Sequence, residues 1–516
     1  MSIAEARSGS GSAPAPLLPL EDVHDRRLVE NVHPPGWTNP RPKGRYDLVV
    51  IGAGTAGLVS AVGAAGLGAR VAIVERHRMG GDCLNVGCVP SKGVLRASRA
   101  AAAVREAGEY GVRVGGRVEV DFRAAMERMR RLRAGISPND SARRLAGLGI
   151  DVYFGDARFV GRDAVEVSGE RLAFARAVVA TGGRAAIPAV PGLAQAGFLT
   201  NETVFSLTEL PRRLVVVGAG PIGCELAQAF QRFGSAVTMV SLDSRLLPRE
   251  DEDAAAILAR RLEREGVVLR LGAKVLSIER HGGAKVVVLD REGRVEHAAC
   301  DEILVAVGRA PNVEGLGLER AGVASGRNGV EVDDRLRTAN RRIYAAGDVC
   351  SAFKFTHAAD AMARIAIQNA LFFGRKRASS LVIPWCTYTD PEVAHVGLHE
   401  RGAREQGARV TTITVPLAEV DRAVLDGDAE GFARVHAHPR SGRILGATLV
   451  AGHAGEMIGE MALAITAGLS LGSIAGTIHP YPTQSEAWKR IGDAWNRTRL
   501  TPRVRGILER LLSLRR

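Results

Sequence analysis

The feature that most constrains this chain is a repeated local pattern in which a buried strand runs into a glycine turn and then an apolar helix. Asp47-Leu48-Val49-Val50-Ile51 leads into Gly52-Ala53-Gly54-Thr55-Ala56-Gly57, and Arg213-Leu214-Val215-Val216-Val217 leads into Gly218-Ala219-Gly220-Pro221-Ile222-Gly223. In such a turn the first glycine allows the tight bend and the second lets backbone approach a pyrophosphate. The third lets helix and strand pack closely, with the helix N-terminus facing the phosphates. Two copies, with Gly52 and Gly218 lying 166 residues apart, point to two dinucleotide-binding domains in one α/β polypeptide.

The residue closing the second strand of each copy sets a comparison inside the chain. Glu75 ends Val71-Ala72-Ile73-Val74 and lies 23 residues after Gly52, where a carboxylate accepts both hydroxyls of an adenosine ribose. Ser241 ends Ala236-Val237-Thr238-Met239-Val240 at the same offset from Gly218. Serine removes the carboxylate that would repel a 2′-phosphate, and Arg245 is positioned in sequence to pair with one, although Asp243 argues the other way. The second site is therefore expected to take NADPH in preference to NADH.

The chain has 516 residues with 60 glycines, enough for two to four domains and many tight turns. The net charge of +13 comes with 62 Arg and 7 Lys spread along the whole length, a solvated surface with no nucleic-acid patch. Two uncharged stretches, Leu48 to Ala69 and Met461 to Ile478, approach membrane-span length. The first is broken by six glycines and the second reads as a buried helix, so no integral membrane segment is expected. The N-terminus shows no secretory signal, and a reducing cytoplasm is the expected compartment. Residues 1–44, rich in Ser, Gly and Pro, read as a flexible or draped extension. From about Ile383 the runs 393–396, 410–415 and 444–450 read as strands of a mixed sheet, followed by helices over 456–471 and 484–497. Residues 498–516 end in a basic amphipathic helix, read as a solvated terminal helix.

Gly80-Gly81-Asp82-Cys83-Leu84-Asn85-Val86-Gly87-Cys88-Val89-Pro90-Ser91-Lys92 is the most informative segment. A regular helix would separate the cysteine Cα atoms by about 7.5 Å, beyond disulfide reach, so the start of the helix there must be distorted. Pro90 suits the first turn of the helix that follows, which puts Cys88 near a helix N-terminus where the dipole stabilises a thiolate. No second Cys or His pair with ligand spacing lies nearby, so a metal reading is weak and no metal site is expected. A redox-active disulfide is the sharper reading and two reduced thiols the plainer one. Cys224, Cys300, Cys350 and Cys386 stand alone in sequence and read as buried inert thiols.

This segment resembles the active-site motif of the class I pyridine nucleotide-disulfide oxidoreductases, which include lipoamide dehydrogenase, glutathione reductase and mercuric reductase, and the likeness spans residues 46 to about 490. The resemblance implies an α/β fold of two Rossmann-like domains, for FAD and for NAD(P), plus a C-terminal α+β dimerisation domain. The implied division is 45–190 and 307–380 for FAD, 191–306 for NAD(P) and 381–497 for dimerisation. It implies that Gly52, Gly54, Gly57 and Glu75 bind the ADP part of FAD, that Cys88 contacts the flavin, and that Cys83 exchanges with substrate. Lys92 would lie by the flavin, matched to Glu225 that follows Gly223. Thr338 with Ile343-Tyr344-Ala345-Ala346-Gly347-Asp348 resembles the second FAD segment, giving Asp348 to the ribityl chain. Gly182, Gly308 and His357 join the implied cofactor-binding residues, and Gly218, Gly220 and Gly223 hold the NAD(P) phosphates.

The C-terminal strip departs from the family pattern. Disulfide-reducing members carry a histidine directly before Pro-Thr and a glutamate five residues later, supplied by the opposite subunit of a homodimer. Here the strip reads His479-Pro480-Tyr481-Pro482-Thr483-Gln484-Ser485-Glu486, so Glu486 aligns and Tyr481 stands where the histidine is expected. A phenol with an ordinary pKa of about 10 is a poor proton acceptor at neutral pH. His479 is the nearest imidazole, with a packing histidine as its plainer reading. Tyrosine at this place is similar to mercuric reductases, although the chain lacks their C-terminal vicinal cysteines and the N-terminal Cys-x-x-Cys domain many of them carry. The implied function is electron transfer from NAD(P)H through FAD to the Cys83-Cys88 pair and on to Hg(II) or a similar soft electrophile. The alternatives are a dihydrolipoamide dehydrogenase or other disulfide reductase and, in another class, a flavin-based redox sensor without turnover.

Overall fold

In a computed structural model, residues 22–516 are described and divide into two compact units, one running to Leu242 and including Val267–Leu381, the other made of Asp243–Gly266 and Val382–Arg516. In the first unit, Tyr46–Ile51 lies between Val71–Glu75 and Glu170–Val179, with Asp151–Phe154 beyond Val71–Glu75, all parallel. Ile343–Ala345 also runs parallel on Glu170–Val179, so the segment ending at Asp348 returns to the sheet begun at residue 46. Five of the six residues of Tyr46–Ile51 are buried, as a strand covered on both faces requires. The second glycine unit builds its own parallel sheet, in the order Val268–Leu271, Ala236–Ser241, Arg213–Val217, Glu302–Val305. The doubly wound α/β architecture expected from the two turns is therefore present.

The extension behaves differently from its composition. Val23–Val32 is a helix capped by Asp22, whose side chain accepts the His24 N–H, and Leu28 and Val32 are fully buried in the core around Leu48 and Val50. The flexible or draped reading of residues 1–44 is thus corrected from residue 22 onward, while its Ser/Gly/Pro-rich beginning lies outside the described residues. Leu28 and Val32 lie four positions apart, which sets both on one helical face, a signal too short to stand out from the prolines around it. The helix is docked by ion pairs to Phe122–Ile136: Arg130 Nε to Asp22 at 2.6 Å and Arg133 Nη2 to Asp25 at 2.8 Å, the latter pair almost wholly buried. Arg133 also donates to the Asn85 carbonyl at 2.7 Å, in the helix that carries Cys83. Asp25→Ala would strand the Arg133 charge, and about 3–5 kcal/mol of destabilisation is expected. A thermal melt of the FAD-loaded protein checks this, and an unchanged Tm would refute it.

The second unit holds a five-stranded sheet in the order Pro384–Thr387, Glu392–Gly397, Ile444–Ala451, Phe432–Ala437, Thr411–Pro416. Every pairing is antiparallel, which corrects the expected mixed sheet: the chain reverses between Pro384–Thr387 and Glu392–Gly397, between Thr411–Pro416 and Phe432–Ala437, and between Phe432–Ala437 and Ile444–Ala451, and this last strand then runs back along Glu392–Gly397. The first helix runs over Ala454–Thr466 and stops short of residue 471, because the chain turns through Gly468 at φ +67. Glu486–Thr498 buries Ala487, Trp488, Ile491 and Trp495 on one face. The terminal helix Pro502–Ser513 has no buried residue.

Candidate functional site

The two glycine turns obey one steric rule. Gly52 has φ +99 and a Cβ there would sit 2.4 Å from the Ala180 carbonyl oxygen, while one on Gly57 would sit 1.8 Å from the Gly52 oxygen. The second turn repeats this, with 2.4 Å from Gly218 to Ala306 O and 2.2 Å from Gly223 to Gly218 O. Gly54 and Gly220 are the N-cap residues of the helices that follow, and neither end has a side-chain cap, so no cap competes with an anion for the first-turn amides. Glu75 closes its strand buried, with Oε2 accepting the Ala53 N–H at 2.7 Å and Oε1 the His77 N–H at 2.8 Å; burial pushes its carboxyl up. Ser241 occupies the matching strand end and is also buried. Arg245 belongs to the second unit and donates to the Pro248 carbonyl at 2.9 Å.

The cysteine segment is split as its spacing demands. Cys83 lies in the short helix Gly81–Asn85, the chain breaks at Val86 and Gly87, and a new helix starts at Cys88 and runs to Glu106. Gly87 is required by close approach: a Cβ there would meet the Asp82 carbonyl oxygen at 2.8 Å and the Cys83 Cα at 3.3 Å. Both cysteines are free thiols, Cys88 exposed and Cys83 half-buried. The hydrogen bond from Cys83, that of the Thr356 hydroxyl at 3.3 Å and the charge of Lys92 outweigh desolvation and lower Cys88 to about 6. The same hydrogen bond, with burial, pushes Cys83 well up. Cys88 is therefore the thiolate of the pair at neutral pH, at the head of a helix whose dipole favours it. Lys92, one turn along, donates to Glu225 Oε2 at 2.8 Å, bringing together the pair expected from sequence.

Several groups here were not legible in the sequence. Arg309 pairs with Asp82 of the cysteine segment, reaches Asp348 at 3.3 Å and donates to the Gly183 carbonyl at 2.7 Å, so it ties three implied cofactor segments together. Burial pushes the Asp348 carboxyl up, and Arg309 partly opposes this. Gly182 has φ +68 and its carbonyl accepts the Asn312 N–H at 3.0 Å, while Gly308 at φ +125 leads into the strand Arg309–Pro311. His357 stacks on Phe355 with ring centroids 5.4 Å apart, and the residue that reaches Cys88 is its neighbour Thr356. The only sequence signal for Thr356 was its place at the start of a helix beside His357. Burial raises Cys300 to about 11 and Cys350 to about 12, in keeping with inert thiols, although Cys350 and Cys386 are only half-buried.

In the second unit, Tyr481 is 70% exposed and its hydroxyl donates to Asp421 at 2.9 Å, a bond that raises the phenol further. His479 is turned elsewhere, with Nε2 on Glu460 at 3.0 Å and Nδ1 on the Thr477 carbonyl at 3.2 Å. The two side chains thus have different acidic partners, which fits the packing reading of His479. Glu486 pairs with Arg490 of its own helix at 3.1 Å and its Oε2 is buried without a hydrogen bond.

Comparison with known proteins agrees with this geometry. Residues 46–363 match the pyridine nucleotide-disulphide oxidoreductase pattern, and residues 383–491 match the dimerisation domain of the same family. The chain is 34% identical to the mercuric reductase of Bacillus cereus over 445 residues, 86% of this chain and 70% of that protein. It is 35% identical to the dihydrolipoyl dehydrogenase of Thermus scotoductus over 461 residues, 87% of this chain and 97% of the relative. Among solved structures, the HOCl-induced flavoprotein disulfide reductase RclA from Escherichia coli superposes with a TM-score of 0.78 at 31% identity, covering 87% of this chain and 99% of that one. Among the described residues no helix is long and apolar enough to cross a membrane. The chain belongs to the pyridine nucleotide-disulphide oxidoreductase family, flavin enzymes that carry a redox-active disulfide.

Proposed function

We propose that this chain is an NADPH-oxidising, FAD-dependent reductase that acts as a homodimer and delivers electrons through Cys83 and Cys88 to Hg(II) or a similar soft electrophile. The observation that carries the reading is the pairing of a Cys88 thiolate at about 6 with a neutral, exposed Tyr481 where disulfide reduction calls for a titratable base. Soft thiolates bind Hg(II), and its reduction needs an electron pair without proton transfer to a leaving thiol. The balance is one NADPH and one Hg(II) giving NADP⁺, a proton and Hg(0), with both cysteines returned unchanged. The chain's own residues fit FAD: uncapped helix amides at Gly54 for the pyrophosphate, Glu75 for the ribose, and Asp348 held by Arg309 for the ribityl chain. Bound FAD supplies hydride acceptance and delivery of the electron pair. Lys92, fixed by Glu225, holds positive charge near the Cys88 thiolate, and Thr356 orients it. Ser241 leaves room for the NADPH 2′-phosphate.

The test is anaerobic NADPH oxidation with thiol-complexed Hg(II), beside lipoamide and glutathione disulfide, for the wild type and Tyr481→His. Turnover with Hg(II) and little with either disulfide is expected, and Tyr481→His is expected to raise disulfide turnover. Turnover confined to lipoamide would make the chain a dihydrolipoamide dehydrogenase, a reading supported by relatives of that name at equal identity. Flavin reduction without turnover on any acceptor would make it a sensor.

A further inference from the structure

Apart from the redox centre, the second unit buries a cluster that neither the family match nor the proposed reaction uses. One ligand atom each of Glu250, His395 and His399 lies within 4.8 Å of the other two, with Glu250 and His395 buried and His399 at the margin. We propose that this cluster is a binding site for a borderline divalent cation of the zinc class, with Glu250 Oε2, His395 Nε2 and His399 Nε2 as ligands.

The hydrogen bonds around the three residues argue for it. Each residue is held by its far atom. Trp385 Nε1 donates to Glu250 Oε1 at 2.6 Å, Asp251 Oδ1 lies 3.1 Å from His399 Nδ1, and Thr448 Oγ1 lies 2.9 Å from His395 Nδ1. The near atoms Glu250 Oε2 and His399 Nε2 are buried and have no hydrogen-bond partner, although Glu250 is only 5% exposed. A histidine oriented by a carboxylate through one nitrogen and left open at the other is the arrangement that metal-binding histidines adopt. Unpartnered buried carboxylate and imidazole atoms are otherwise costly.

Proton counting around His395 points the same way. With Thr448 Oγ1 donating its one proton to Asp251 Oδ2, 3.1 Å away, the proton between Thr448 and His395 comes from Nδ1. With its Nδ1 proton given to Thr448, the neutral ring carries a lone pair on Nε2, which faces the Gly397 carbonyl oxygen at 3.2 Å. Two acceptors facing each other are relieved by a cation. Zinc bonds of about 2.0–2.1 Å set tetrahedral donors about 3.3 Å apart, so the three ligand atoms, within 4.8 Å of one another, draw in by up to about 1.5 Å and the His395 and His399 rings, stacked with centroids 3.6 Å apart, tilt toward the ion. Three protein ligands leave a fourth position, and the partly exposed edge of His399 is the route in.

The test uses the FAD-loaded full chain carrying Cys83→Ser and Cys88→Ser, so that active-site thiols cannot take the ion, and Zn(II) alone as the probe. One zinc per chain is expected by mass spectrometry after gel filtration, with affinity at least 10-fold lower in His399→Ala and in Glu250→Gln and about 10–100-fold lower in Asp251→Asn. Co(II) read by absorption in the parent chain needs no further variant: d–d bands without a sulfur charge-transfer band are expected. The proposal is overturned if no zinc is retained at micromolar free metal, if the variants bind as the parent does, or if Co(II) shows sulfur ligation. Failure to retain zinc would mean that Thr448 donates to His395 and that Glu250 is a protonated acid.

Discussion

Cys88→Ser is expected to lower turnover with any acceptor at least ~10³-fold while NADPH still reduces the bound FAD. The reason lies in which of the two sulfurs is ionised. Cys88 is lowered to about 6, first by the hydrogen bond from Cys83 and then by Thr356 and Lys92, so at pH 7 about nine molecules in ten carry the thiolate. A serine hydroxyl at the same place stays protonated and is neither a soft metal ligand nor a nucleophile. The sign of the pH dependence follows: a thiol whose folded pKa is depressed is reactive above that pKa and loses reactivity as pH falls through it. Iodoacetamide labelling of the reduced enzyme should therefore rise with a midpoint near pH 6 and map to Cys88. Cys300 at about 11 and Cys350 at about 12 stay protonated throughout, so the map is selective. A midpoint above pH 8, or turnover preserved in Cys88→Ser, would refute the assignment of Cys88 as the reactive thiolate.

What the sequence disclosed and what it hid divide by the distance over which each contact is made. The glycine turns, Glu75 and the split around Gly87 follow from spacings of a few to 23 residues, where helix and strand geometry act directly. Lys92 and Glu225 were paired only because a family pattern links them, since they lie 133 positions apart. Arg309 with Asp82 is separated by 227 residues and Thr356 with Cys88 by 268, and no local periodicity announces such contacts. The helix at Val23–Val32 was hidden by the prolines around it, and the buried Asp25–Arg133 pair that anchors it joins residues 108 apart. Arg245 was assigned to a phosphate from its place in sequence, and its guanidinium donates to the carbonyl of Pro248, three residues away. His395 and His399 lie four apart, but Glu250 reaches them only through the fold.

Gly87→Ala is expected to cost about 10²-fold in acceptor turnover although the residue carries no chemistry. The Cβ would meet the Asp82 carbonyl oxygen at 2.8 Å, the Asp82 carbonyl carbon at 3.1 Å and the Cys83 Cα at 3.3 Å. All three are backbone atoms of the short helix that presents Cys83, so neither side can yield by rotating a side chain. The two turns must part, and a displacement of about 1 Å at a reacting centre costs about 10²-fold. The same movement stretches the hydrogen bond from Cys83, the largest cause of the low Cys88 value, so the labelling midpoint should climb from near pH 6 toward the ordinary thiol range. Two readouts thus move together, which a general loss of stability would not produce. Gly66→Ala is the control: it lies at the end of Thr55–Gly66 with nothing within 4 Å of its added Cβ, and it should leave turnover and midpoint as they are. Unchanged labelling in Gly87→Ala with full FAD content would show that the thiolate is held by the helix end and Lys92 without help from Cys83.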